Sequence, residues 1–390
     1  MSIDDNMNNY TAINIGPIGK TIGMARKPRE LWAASYIFSF LMKRIIEALP
    51  DKNAIVSPSI DEAKMRTDVG LYPDRVYVKG EVKYDDVITK ALGVFADELG
   101  LDLASVNGYF NVMLCTTEKG NVSEAIKDLN HKLDCLELFN RATDSECEKG
   151  IRDLITKKEN SPLFRIAFGK SYFHVEELKD IAQHDDKDLS YNNYIAIVQA
   201  DGDNMGKIIS ATDEGQLKKV SGALLSFGCD AIDAIRQYSA KSLPIYAGGD
   251  DLLFIVPVVG ENDKNIFDLI STLDAKYQQV KDVADPLNVK DDEGNTLKTS
   301  ISYGIAMSYH KYPLYEAFET ASNQLFEVAK KQVDGKNALA WDLRKHSGGA
   351  FSGAFSKNNT DIYKAFKDII KVSGNKSEVV SAVSHKIRSP

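Results

Sequence analysis

A chain of 390 residues is long for one domain and points to two or three. Its 43% hydrophobic and 27% charged residues are ordinary for a soluble globular protein, and a formal charge of −8 excludes a generally basic, nucleic-acid-coating surface while leaving room for local basic patches. Four scattered cysteines (Cys115, Cys135, Cys147, Cys229) with no Cys-x-x-Cys pair exclude a disulfide framework and a zinc ribbon and predict reduced thiols. The polar, acidic start (Met1 to Asn9) does not read as a signal peptide, and the longest apolar run, Leu31 to Leu41, is too short and interrupted to span a bilayer. A cytoplasmic protein without membrane contact is expected.

In chain order, Tyr10 to Ile15 reads as a strand ending at Gly16-Pro17-Ile18-Gly19. The basic residues Lys20, Arg26, Lys27 and Arg29 follow; they could bind phosphate or be the solvated start of the next helix. That helix, over residues 30–49, carries a broad apolar stripe of Leu31, Ala34, Ile37, Phe38, Leu41, Ile45 and Leu49. Short strands at 54–56 and 75–78, a helix at 85–99 and a strand at 109–116 complete a strand, helix, strand, strand, helix, strand order. Residues 121–190 are charged and helical in period, with Leu133, Leu136, Leu138 and Phe139 marking one helix and Ile151, Leu154 and Ile155 another, and breaks at Gly150 and Ser161-Pro162. His184-Asp185 lies in a hydrophilic run; a metal phosphohydrolase needs further ligands that six scattered histidines do not supply, so the run reads as a linker.

The same order then repeats. Tyr194 to Ala200 is a nearly continuous apolar strand of the doubly covered kind, ending in Asp201-Gly202-Asp203-Asn204-Met205-Gly206-Lys207. A helix over 217–238 leads to a hairpin in which Leu243, Ile245 and Tyr246 reach Gly248-Gly249-Asp250-Asp251 and Leu252 to Val256 leaves it. A helix at 266–283, a turn at 291–295, a strand at 299–307, a helix at 314–333 with Gly335 as its C′ residue, and a strand at 338–341 follow. Lys331 can simply satisfy the helix dipole, whereas Lys330 and Lys336 could reach a triphosphate. The stretch Ser347 to Ser356 is small and flexible in composition, and two helical segments, 361–371 and 377–387, close the chain.

Two adjacent acids at a hairpin tip concentrate like charge, which a divalent cation neutralises. The strand, helix, hairpin order sets the first strand beside the hairpin, so Asp201 and Asp203 are expected to face Asp250 and Asp251 across a cleft as a two-metal nucleotidyl-transfer site. The first copy has Asn14-Ile15-Gly16-Pro17 and Leu71-Tyr72-Pro73-Asp74-Arg75 at the matching places, and reads as a catalytically silent mate.

These motifs, with Ser302-Tyr303-Gly304-Ile305-Ala306, Ala329-Lys330 and Gly335-Lys336-Asn337, resemble the large polymerase-like subunit of type III CRISPR effector complexes, most closely the type III-B (Cmr) branch. Gly16-Pro17 with Arg29 to Tyr36 is similar to the opening of that family's first palm, and Ser347 to Ser356 to the start of its C-terminal helical domain. The second half also resembles, more distantly, GGDEF-type cyclases and polymerase palms. The resemblance implies an α+β fold of two ferredoxin-like palm domains packed together, with helical insertions and a short helical C-terminal segment. The expected divisions are 1–120 (silent palm), 121–190 (helical middle), 191–345 (active palm) and 346–390 (start of the helical domain).

It further implies that ATP is joined to a second nucleotide with loss of pyrophosphate, giving cyclic oligoadenylate or a related adenylated messenger when CRISPR RNA pairs with target RNA. Asp201, Asp250, Asp251 and the Gly202 carbonyl would ligate two Mg²⁺ or Mn²⁺. Gly248 and Gly249 would line the site, and Asp203 would sit behind the ligands. Backbone N–H groups of Asn204, Met205 and Gly206 would meet phosphate, and Lys330 and Lys336 would neutralise it. The implied partners are the small helical subunit, the crRNA-end-binding subunit, the backbone subunits, CRISPR RNA and target RNA. No HD nuclease motif or Cys-x-x-Cys zinc module is present, so neither DNA cleavage nor zinc is expected. A diguanylate-cyclase-like enzyme and a non-catalytic nucleotide-binding scaffold are the rival readings. The acceptor stays open: another ATP, or the ribose of a compound such as S-adenosylmethionine.

Overall fold

The computed structural model describes residues 8–138, 145–156, 161–169, 175–182, 193–291 and 293–373. Among the described residues ten strands form two sheets: β1 (Asn8–Gly16), β2 (Ile55–Ser57), β3 (Arg75–Lys79), β4 (Asn111–Lys119), β5 (Tyr194–Asp203), β6 (Leu243–Gly248), β7 (Asp251–Pro257), β8 (Ser300–Tyr309), β9 (Ala338–Arg344) and β10 (Ala350–Ser356). The first sheet runs β2-β3-β1-β4 and the second β10-β9-β8-β5-β7-β6. Reading β5 to β8 as counterparts of β1 to β4, the inner order β8-β5-β7-β6 repeats β4-β1-β3-β2, which is the ferredoxin-like order in both halves. The two palm domains expected from the sequence are therefore present.

Strand periodicity decides which face each helix covers. On β5, Ala196, Val198 and Ala200 point into a core with the helices Glu214–Tyr238 and Ile266–Ala284, while Ile195 and Ile197 point into a core shared with the first domain. Both helices start on capping boxes, Asp213 with Gln216 and Asn265 with Asp268, which fix where the chain turns from loop to helix. On β1, Ile13 and Ile15 meet the helix Pro28–Ala48, and Tyr10 and Ala12 meet the helix Val122–Glu137. The domains join reciprocally: Pro28–Ala48 lies on β6, and Glu214–Tyr238 lies on β2. Backbone closes the seam, with Ala247 N donating to Gly70 O at 2.8 Å and Gly70 N to Ile245 O at 3.3 Å.

Several elements differ from expectation. A short helix, Leu103–Tyr109, precedes β4, and the helix beginning at Leu314 widens into π turns over Gln324–Ala329 rather than continuing to 333. Ser347 to Ser356 is not a loose entry to a helical domain: residues 350–356 form β10, antiparallel to β9. Its small residues serve close packing, because a Cβ on Gly353 would stand 2.4 Å from the Trp341 ring, and Phe355 packs edge-on to that ring at 5.5 Å. The helix Thr360–Ser373 follows as expected. The 377–387 segment and the His184-Asp185 run lie outside the described residues. Among the described residues no helix is long and apolar enough to cross a membrane.

The helix Leu314–Asn323 reaches β8 only because residue 304 is glycine. A Cβ there would lie 2.3 Å from both Ala321 O and Leu325 N. Gly304→Ala is therefore expected to lift the helix off the sheet and destabilise the protein by about 1–3 kcal/mol, as overpacking does, measured as a lower urea midpoint with unchanged m value.

Candidate active site

The hairpin between β6 and β7 turns at Gly249 and Asp250, with Gly248 paired to Asp251. Gly249 has φ 65°, a left-handed conformation that glycine adopts without strain. On the neighbouring strand the last β5–β7 pair is Ala200 with Leu252, so Asp201 stands one step on, beside Asp251. Gly202 backs directly onto Asp250: a Cβ there would be 2.7 Å from both Asp250 Cβ and Oδ2, and 3.0 Å from the Tyr277 hydroxyl. The structure thus brings Asp201, Gly202, Asp250 and Asp251 together.

Asp203 does something else. It is fully buried and accepts from Ser300 Oγ at 2.5 Å, Ser302 Oγ at 2.8 Å and the Asn337 N–H at 2.9 Å. Lys330 Nζ adds a contact at 3.2 Å. These partners hold Asp203 behind the site, where it cannot face Asp250 and Asp251 across a cleft; the serines of β8 and the incoming β9 take up its oxygens.

Lys330 is the centre of the arrangement. Its ammonium donates to the Gly202 carbonyl at 2.8 Å and is ion-paired to the Asp201 carboxylate and to Asp203. It thus rests on the two acids and the Gly202 carbonyl. Burial works against its charge, but Asp201 and Asp203 outweigh this and raise its pKa. Lys336, at φ 54°, donates to Asn204 Oδ1 at 3.0 Å, and Asn204 Nδ2 donates to Lys298 O at 3.0 Å. Asn204 caps the five-residue helix Met205–Ile209 with φ 65°. Met205 is buried, and the amides of that first turn, Gly206 included, lack intrahelical partners.

Burial pushes the Asp250 carboxyl up to about 7, and the charge of Asp201 adds to it. Asp251 presents surface at the cleft mouth, yet the protein around its carboxyl, then Asp250 and Asp201, drives it well above the usual carboxylate range. Asp201 is raised by burial against the opposing pull of Lys330. Asp74 of the first domain also adds to the charge felt by Asp251.

Asp201, Asp250, Asp251 and the Gly202 carbonyl offer only oxygen, the donor set that suits Mg²⁺ or Mn²⁺, and a cation, the Lys330 ammonium, already rests on two of these groups. The donor chemistry fits a hard divalent ion. Among the described residues, however, no three acidic, His or Cys side chains are gathered on a single point. A pH dependence follows. A carboxyl whose folded pKa lies above its unfolded value stabilises nothing by ionising: metal-free stability falls as pH rises from the unfolded value near 4 through about 7. Added Mn²⁺ is therefore expected to raise the melting temperature more at pH 8 than at pH 6. An equal or larger shift at pH 6 would contradict it.

The first domain shows what replaced the acids. Asn14 pairs in register with Arg75, the positions matching Asp201 and Asp251. Glu137, at the end of the helix that covers this face, accepts from Asn14 Nδ2 at 2.6 Å and from Arg75 at 3.1 Å, and Arg75 also donates to Asn130 at 2.9 Å. Arg75 thus stands where the second domain has Asp251, Asp74 keeps an acid at the place of Asp250, and the covering helix supplies Glu137 as the anion for the guanidinium. A guanidinium at that place is incompatible with a bound metal. Sequence reasoning found the missing acids but not Glu137, which carries no motif.

Two family models match the chain: Cas10/Cmr2, second palm domain, over residues 194–340, and CRISPR-associated protein Cmr2, N-terminal, over residues 10–134. The CRISPR system Cmr subunit Cmr2 of Pyrococcus furiosus is 32% identical over 183 residues, covering 40% of this chain and 19% of that relative's length. Among solved structures, the type III-B Cmr-β complex in its apo state has a chain that superposes with TM-score 0.63 at 10% identity, covering 96% of this chain and 74% of that one. A Csm1–Csm4 cassette in complex with one ATP gives 0.55 at 13% identity, over 86% of this chain and 55% of that one, and the same cassette with cA4 gives 0.53 at 13% identity, over 86% and 54%. The strand order, the Gly-Gly-Asp-Asp hairpin and these matches agree: the chain belongs to the Cas10/Cmr2 family.

Proposed function

We propose that the chain is a nucleotidyltransferase that joins ATP to a second nucleoside hydroxyl, releasing pyrophosphate, as a subunit of a type III-B RNA-guided complex. The observation that carries this reading is the meeting of Asp201 and Gly202, on which the half-buried Lys330 ammonium rests, with the Gly248-Gly249-Asp250-Asp251 hairpin. Related cassettes solved with ATP, pppApA and cA4 support adenine nucleotides as the substrate class and cyclic oligoadenylate as a product.

Asp201, Asp250, Asp251 and the Gly202 carbonyl would hold Mg²⁺ or Mn²⁺, which when bound would lower the pKa of the attacking hydroxyl and stabilise the leaving pyrophosphate. Lys330 and Lys336 enter from one loop and supply positive charge beside it; Lys330 keeps the acids paired, and Lys336 orients Asn204. The first domain, its own site closed by Arg75 and Glu137, walls the cleft at the Gly70–Tyr246 seam.

The reading also proposes the other effector subunits, CRISPR RNA and target RNA as partners. The test is incubation of the chain with ATP or GTP and Mn²⁺, alone and assembled with its RNA-guided complex and target RNA, with products resolved by mass. ATP-derived oligomers or adenylated adducts support the reading and name the acceptor. Cyclic di-GMP would transfer the protein to the cyclase reading, and no product from the target-bound complex would leave a scaffold.

A further inference from the structure

One side chain of the helix Ile266–Ala284 ends behind the acids. Tyr277 is 1% exposed, and its ring is held edge-on against Phe227 with centroids 5.0 Å apart. Its hydroxyl is enclosed and has no hydrogen-bond partner among the described residues. A phenylalanine would fill the same space without stranding a polar group, so the hydroxyl costs the fold stability. What it meets is the back of the acidic site. A Cβ on residue 202 would stand 3.0 Å from Tyr277 Oη and 2.7 Å from Asp250 Oδ2, so the two oxygens border one point, which glycine leaves open. Strand alternation sets that point on the helix face of β5, with Val198 and Ala200, whereas the Asp201 side chain opens on the other face. Burial, and after it the charge of Asp250, hold the phenol well above its usual pKa, so it remains a donor.

We propose that Tyr277 is a positioning residue: its hydroxyl donates to Asp250 and fixes that carboxylate in the rotation that binds the divalent ion. This rests on the assignment of Asp250 as a ligand under the nucleotidyl-transfer reading above. A carboxylate that ligates through one oxygen is steered by what holds the other, and such outer partners tune the strength of a metal site. Among the described residues Asp250 has no ion pair, since Lys330 is paired to Asp201 and Asp203. The phenol is the donor that stands behind it. The bond is not made in this structure; rotation of the Asp250 side chain makes it, and the absence of a side chain at Gly202 leaves the way clear. Because the phenol comes from the helix face, it touches neither the ion nor the substrate and acts through Asp250 alone. The same geometry gives Gly202 a second reason to be glycine, beyond the close approach of the hairpin.

The test measures Mn²⁺ affinity of the full chain, by the electron paramagnetic resonance of the free ion, for wild type and Tyr277→Phe, beside melting of both in EDTA. Tyr277→Phe is expected to bind Mn²⁺ about tenfold or more weakly, the range for removing a group that orients a metal ligand. In EDTA it should melt no lower than wild type, because the hydroxyl has no partner to lose. A ring that served packing alone is preserved in phenylalanine and would leave the affinity where it was. An affinity equal to that of wild type, or a clearly lower melting temperature in EDTA, overturns the proposal, while product formation by the wild-type complex leaves the enzymatic reading standing. Failure of wild type to bind Mn²⁺ overturns the proposal as well, and if the target-bound complex also yields no product, the enzymatic reading falls with it.

Discussion

The Asp250→Ala/Asp251→Ala variant is expected to lose nucleotide turnover by roughly a thousandfold or more, and at pH 8 without metal to melt higher than wild type. The two effects share a cause. Three carboxylates, on the turn Asp250, on Asp251 and on Asp201, are crowded where burial and mutual repulsion raise their pKa values, Asp250 to about 7. Lys330 is ion-paired to Asp201 and Asp203 and, among the described residues, to neither of the hairpin acids. At pH 8 the folded protein therefore carries the cost of ionising Asp250 and Asp251 against one another, a cost that the unfolded chain does not bear and that alanine removes. A gain of about 2 °C or more corresponds to relief of roughly 1 kcal/mol in a chain of this size. The gain should vanish near pH 4, where the wild-type acids are protonated in the folded state. Calorimetry at the two pH values, beside product analysis, checks both halves. Retained product would sink the catalytic assignment; loss of product with a lower melting temperature would mean that the acids hold the hairpin together.

How much of this was legible in the sequence depends on how local each signal was. The palm order could be read because β5 is a single apolar run and the Gly-Gly-Asp-Asp turn is confined to four residues. Asp201, Asp250 and Asp251 followed, since hairpin adjacency alone sets them side by side. For Asp203 the motif spacing pointed across the cleft, and only the family resemblance set it behind the ligands. Strand periodicity places it on the same side as Asp201, and only the approach of β8 and the Lys336–Asn337 turn decides that its oxygens are taken. One signal existed: Ser300 and Ser302 alternate on the strand that pairs with it, two hydroxyls on one face at the height of a buried acid. Lys330 lies far along the chain from the acids it pairs with, and no pattern in its own helix tells an ammonium aimed at a carboxylate from one aimed at solvent. β10 was misread for a compositional reason: small residues read as loose chain until a ring such as Trp341 is present for Gly353 to pack against.

Asp203→Ala is the substitution expected to damage the fold most, by about 3–5 kcal/mol, the range for removing one member of a buried charge network. The carboxylate is fully buried and joins three segments. Ser300 and Ser302 bind it to β8, the Asn337 N–H to the start of β9, and Lys330 to the end of the π turns. Ser302 Oγ in turn accepts from the Ala338 N–H at 3.0 Å, so losing Asp203 also loosens the first pair of β9. Lys336 and Asn337 hold left-handed conformations, φ 54° and 48°, that non-glycine residues keep only when their surroundings enforce them. Without Asp203 that turn has lost one of its anchors, Lys336 moves from Asn204, and the Lys330 ammonium keeps only Asp201 and the Gly202 carbonyl. Asp203→Asn should cost less, because its carbonyl oxygen still accepts from the serines. Asp201→Asn should abolish turnover at little cost in stability, since Asp201 shares its single side-chain cation with Asp203. Urea unfolding of the three variants orders them: a loss for Asp203→Ala below about 1 kcal/mol, the value of an ordinary exposed pair, would show that Asp203 belongs with the ligands rather than behind them. The expected order instead divides the acidic motif into one residue that builds the turn and one that serves the chemistry, two positions apart on one strand.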